Sequence, residues 1–123
     1  MHGGRGGQGG RGGGRRRMFL LESSLLVLLL RKPDHGYSLI EGLQEFGFDP
    51  GQLDVSIVYR ALRELEAAGL ASDSWDNKSL GPPRRVYSIT SAGRTALAEW
   101  IDNLGRTRRE IETLQAAYEA ANK

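Results

Sequence analysis

Ser56, Ile57, Tyr59, Arg60 and Arg63 lie close together and carry side chains suited to one kind of chemistry. An arginine can give a paired hydrogen bond to guanine, a serine can meet either base type, and an apolar side chain can touch a thymine methyl. Residues 54–70 predict the helix that would hold them. Asp54 is suited to accept from the free amides of the first turn, and Gly69 to take the left-handed conformation that closes the last. Val58, Leu62 and Leu65 recur at three- and four-residue spacing and form a buried stripe, with the polar set on the opposite face. A solvated face of an ordinary amphipathic helix has a similar pattern, so the surrounding chain must decide.

A second cluster, Asp34, His35 and Ser38, contains the residue types of a hydrolytic triad. Neighbours in sequence rarely point at each other on a helix, whereas a triad needs its base oriented on both sides. Asp34 is more simply the N-cap of a second helix. The chain has no cysteine and two histidines, which excludes a thiolate zinc site and a histidine metal cluster. No enzyme, metal or cofactor is expected.

The 123 residues suffice for one compact domain, and the net charge of +2 hides an asymmetry. Residues 1–17 hold nine glycines, five arginines and no acid, leaving 12 basic and 15 acidic residues in the remainder. An acidic body binds nucleic acid through local patches rather than bulk charge. The Gly/Arg-rich arm at 1–17 is expected to be disordered, and suited to touching phosphates, the minor groove or RNA. This leaves a rival reading, an RNA-binding or scaffolding adaptor driven by the arm.

The elements that position these residues follow in order. Residues 18–31 predict a helix apolar on nearly every side, buried on two sides and so facing a partner subunit. Its Leu25–Leu30 run is too short to span a membrane, and no signal-peptide cleavage site follows, so a cytoplasmic location is expected. Pro33 stops that helix, and a second runs from Asp34 or His35 to about Phe46 with Tyr37, Ile40, Leu43 and Phe46 as its stripe. Gly47–Gly51 is a turn. After Gly69 the period changes to two. Leu70–Asp76 and Arg85–Thr90 predict a hairpin whose tip carries Lys78, Arg84 and Arg85, with Trp75 in its core. Thr90 or Ser91 caps a final helix to about Ala121. Leu97, Trp100, Leu104, Thr107, Ile111, Leu114 and Tyr118 form a heptad seam on it, too long for one small body to cover. A two-fold homodimer buries it. The fold class expected is α+β, mainly α: a winged helix-turn-helix at 18–90 with a long C-terminal dimerisation helix at 91–123.

Three runs, at 29–39 (LLRKPDHGYSL), 58–70 (VYRALRELEAAGL) and 81–94 (GPPRRVYSITSAGR), resemble the PadR family of bacterial transcriptional regulators over about residues 19–100. The resemblance implies a dimeric repressor of double-stranded promoter DNA carrying an inverted repeat. The single C-terminal helix resembles the shorter branch of the family, whose dimer contacts come from that helix and the first. Tyr59 and Arg60 would lie on the recognition helix, with Arg84 and Arg85 in the wing. Val55-Ser56-Ile57-Val58-Tyr59 replaces the frequent Pro-Gly-Thr-Leu-Tyr, so Ile57 stands where a hydroxyl is usual and the operator preference is not carried over. Some members hold flat aromatic compounds between paired tryptophans of the C-terminal helices. Trp100 is the candidate here for binding a small hydrophobic or aromatic effector.

Overall fold

The structure, a computed structural model, describes residues 5–78 and 80–123, with side chains from Gly14 onward. The order of elements is α1 (Arg5–Arg31), β1 (Asp34–His35), α2 (Gly36–Gly42), a 3-10 turn (Leu43–Phe46), α3 (Val55–Ala67), β2 (Ala71–Asp76), β3 (Arg84–Ile89) and α4 (Ser91–Ala121). Helix α1 runs through the centre, packed on α3, α4 and β3. Its Leu25, Leu26 and Leu29 are buried with Leu39 and Leu43, and with Val58, Leu62 and Leu65 of α3. The polar residues inside α1 are satisfied locally. Ser23 and Ser24 donate to the carbonyls of Phe19 and Leu20 at 2.8 and 2.7 Å, so their burial leaves no free hydroxyl proton.

Helix α1 is described from Arg5, while residues 1–4 of the Gly/Arg-rich arm lie outside the described residues. Three expectations are corrected. Asp34 is not an N-cap: it stands in β1, paired with Tyr87, while His35 pairs with Val86. Pro33 ends α1, and the following two residues instead fill the free edge of β3. The helix then starts at Gly36 and tightens at Leu43, so Tyr37 lies outside the buried stripe and is 72% exposed. Trp75 is no core residue either. It is 59% exposed, because only Ala71, at the base of β2, is buried beneath the sheet.

The sheet has the order β1-β3-β2, antiparallel throughout. The hairpin register runs from Ala71↔Ile89 to Asp76↔Arg84. At its base the α3–β2 turn depends on Gly69, whose φ of 78° is open to glycine and strained for other residues. Thr90 caps α4, its Oγ1 accepting from Gly93 N at 3.0 Å and donating to Gly69 O at 2.6 Å. Helix α4 is 31 residues long, and past Gly105 every residue on it is exposed.

Candidate nucleic-acid interface

Helix α3 begins on Asp54, whose Oδ1 accepts from Ser56 N at 2.9 Å and Ser56 Oγ at 2.7 Å. Those two bonds hold the Asp54 carboxyl below its ordinary range. They also fix the Ser56 proton inward, leaving the oxygen's lone pairs as the outward-facing chemistry. Val58, Ala61, Leu62 and Leu65 face the core. Ser56, Arg60 and Arg63, one and two turns apart, therefore form an exposed stripe, with Ile57 39% exposed at its edge.

The other residues of the predicted set are placed differently. Tyr59 is half-buried, its ring lying over Gly36 of α2. A Cβ built on Gly36 would lie 2.7 Å from Tyr59 Cε1, so this glycine permits the close approach of the two helices. Arg60 Nε sits 3.5 Å from Glu64 Oε2 on the same face. Glu64 in turn shares a side-chain hydrogen bond with Glu22 of α1. Burial, then that bond, then the negative charge of Glu64 push the Glu22 carboxyl up to about 7.

In the hairpin, Lys78 and Arg84 are exposed, while Arg85 is engaged. Its Nε donates to Asp73 Oδ2 at 2.8 Å, and its guanidinium lies 5.1 Å from the centroid of the Trp75 ring. Asp73 also shares a hydrogen bond with Glu66 of α3, whose carboxyl is raised by burial first and by Asp73 second. Asp76 accepts from Lys78 N, and from His35 Nε2 at 3.2 Å if that nitrogen carries the proton. These two contacts hold its carboxyl low.

His35 is thereby a tie between β1 and the hairpin. Its Nδ1 lies 3.8 Å from Asp34 Oδ1, and Ser38 is exposed. The arrangement orients the ring between two carboxylates rather than toward a nucleophile. Among the described residues no group of three or more metal-ligating side chains converges, and no helix is long and apolar enough to cross a membrane.

Along the α4 seam Leu97 is buried, and Trp100 and Leu104 are half-buried. Trp100 packs on Phe19 of α1, with ring centroids 5.3 Å apart. Further out, Ile111, Leu114 and Tyr118 are 50%, 71% and 61% exposed. A groove of about 790 Å³ runs between the two helices, its apolar wall made by Phe19, Leu20, Leu104 and Ile111, with Arg16, Arg108 and Glu112 also lining it.

A short helix, a turn, a second helix with one face buried, and a hairpin extended by a third strand make this a winged helix-turn-helix protein. The family model for the PadR-like transcriptional regulators matches residues 25–99. The chain belongs to that family, and is a DNA-binding transcriptional regulator rather than an enzyme. It is similar to a conserved protein of unknown function described as a potential transcriptional factor. The identity is 40%, the TM-score 0.70, and the match covers 82% of this chain and 89% of that one. A PadR-like transcriptional regulator from Bacillus cereus is 26% identical with a TM-score of 0.67, over 77% of this chain and 90% of that one. A PadR family regulator from Eggerthella lenta is 28% identical with a TM-score of 0.63, over 73% and 79%.

Sequence reasoning missed two features of the site. The Glu22–Glu64 contact joins separate helices and leaves no local signal. The exposure of Trp75 did have one: Asp73 precedes it by two residues on the same face of β2, and a carboxylate is rarely buried unless paired.

Proposed function

We propose that this regulator is a homodimeric repressor of an inverted-repeat operator, released by a small hydrophobic or aromatic effector. The observation that carries the reading is the exposed Ser56–Arg60–Arg63 stripe on a helix whose other face is locked into the core. Two such helices, set about 34 Å apart by a two-fold axis, enter successive major grooves. Arg60 and Arg63 reach base edges, Ser56 and Ile57 contact the groove beside them, and Tyr59 holds the helix at its angle. Lys78 and Arg84 meet phosphates beside the groove, with Arg85 behind them.

The seam beyond Leu97, which its own chain already buries, supplies the dimer contact through Trp100, Leu104, Ile111, Leu114 and Tyr118, aided by the outer side of α1, where Leu20 and Leu30 are 37% and 43% exposed. An effector seated in the groove between α1 and α4, against the Phe19 ring that Trp100 supports from behind, acts by favouring a different separation of the two recognition helices. It weakens operator binding by its differential affinity for the two dimer openings.

The test is fluorescence anisotropy on a duplex from upstream of the regulator's own gene against a scrambled duplex, across a salt series, with and without residues 1–17. Preference for the upstream duplex that persists at high salt and without the arm supports the repressor. Equal binding to both, with a steep salt slope that disappears with the arm, means attraction by charge alone. The adaptor reading then replaces it.

A further inference from the structure

Trp75 of β2 and Arg85 of β3 are directly opposite in the hairpin ladder. Since the Arg85 charge is met by Asp73 and by the indole face, this arginine holds the ring in one orientation rather than reaching outward. Beside the ring, Trp75, Asn77 and Pro83 line a shallow open recess. Two of its walls are apolar ring surfaces, and the third is an amide with two donors and an acceptor. Lys78 directly follows Asn77 and Arg84 directly follows Pro83, both exposed, and no acid occurs between Lys78 and Ser91. Apolar walls, one amide and a cationic rim complement the wall of a DNA minor groove, where a sugar, a base edge bearing acceptors and a phosphate lie side by side.

We propose that the Trp75–Asn77–Pro83 recess is a nucleotide-binding site that takes one deoxyribose of the minor-groove wall when the wing docks. Trp75 and Pro83 cover the sugar, the Asn77 amide donates to adenine N3 or thymine O2, and Lys78 and Arg84 meet the flanking phosphates. The amino group of guanine crowds the position the amide needs, so the site favours A·T pairs. The inference rests on the DNA-binding reading above and adds to it a second reader, separate from the arginine stripe of α3.

The chain has two tryptophans, Trp75 and Trp100, and their emission gives a direct readout. The probes are fluorophore-labelled duplexes that the unmodified protein enriches from a random-sequence pool. Anisotropy reports binding, and tryptophan emission is compared between the unmodified protein and Trp75→Phe. The expected result is quenching by duplex in the unmodified protein that is largely absent in Trp75→Phe. Trp75→Ala binds roughly tenfold more weakly, the size of one aromatic–nucleotide contact. Asn77→Ala loses the A·T preference at one step of the enriched sequences.

A rise in anisotropy with the same emission change in both proteins removes Trp75 from the interface and overturns the site, while the regulator reading stands. Emission that follows protein concentration without DNA in the unmodified protein but not in Trp75→Phe means a second copy covers the recess, and also overturns it. If no duplex is enriched and anisotropy stays flat, the DNA reading itself falls.

Discussion

Glu22 on α1 and Glu64 on α3 share a hydrogen bond, and Glu64 lies 3.5 Å from the guanidinium of Arg60. A carboxyl pair thus ties the central helix to an arginine of the recognition stripe. The pair can share a bond only while one member keeps its proton.

This makes stability depend on pH in a stated direction. The Glu22 carboxyl titrates near 7 in the folded chain, above its ordinary 4.5, so between those values the native state binds a proton that the unfolded chain has lost. Stability therefore falls as pH rises through this window, and the loss is complete above it. Glu22→Gln keeps a neutral donor and removes the titration. Denaturant unfolding should show the variant more stable than the unmodified protein at pH 8, by about 1 kcal/mol once solvent screening is allowed for, and nearly equal at pH 4. The same pH dependence in both proteins would contradict the assignment to Glu22.

The other side of the pair concerns Arg60. As an exposed stripe member it is expected to contribute about 1–3 kcal/mol to operator binding, with relaxed base preference in Arg60→Ala. Glu64→Gln removes the competing carboxylate and should tighten duplex binding severalfold at low salt, with a smaller gain at high salt. Anisotropy titrations of the two variants decide this. Unchanged affinity and preference in Arg60→Ala would place that residue outside the groove.

Close helix approach gives a third prediction. A Cβ on Gly36 meets the Tyr59 ring at 2.7 Å, so Gly36→Ala must push the ring and α3 away from α2. Overpacking of this kind destabilises by about 1–3 kcal/mol, a fall of several degrees in Tm for a domain of this size. Thermal unfolding measures it. A truncated partner in Gly36→Ala/Tyr59→Leu should recover part of the loss, whereas an effect of helix propensity alone would not be recovered, because alanine is the better helix former.

Much of this was legible because it is local. Asp54 and Gly69 mark the ends of α3, and Thr90 the start of α4, through contacts within a few residues. What escaped depends on distant partners. A two-residue strand has no period to read, so β1 is visible only once β3 offers it an edge. Trp75 alternates correctly for a core face, yet the sheet outruns the helices beneath it and leaves the ring outside. The heptad seam of α4 is plain in the sequence, while the extent to which its own chain covers it is a matter of how far α1 reaches.

That seam carries the last prediction. Leu114 is 71% exposed and stands outside the core cluster, so Leu114→Glu should leave the monomer's fold and circular dichroism unchanged. In a dimer joined through α4 the same change brings two like charges into an apolar contact near the two-fold axis, where neither can be hydrated. Sedimentation velocity should show the variant shifted from dimer to monomer at concentrations where the unmodified protein is associated. Operator affinity should fall with it, since one recognition helix alone makes half the contacts. A variant that stays associated with unchanged operator affinity would move the dimer contact off the outer half of α4, toward Trp100, Leu104 and α1.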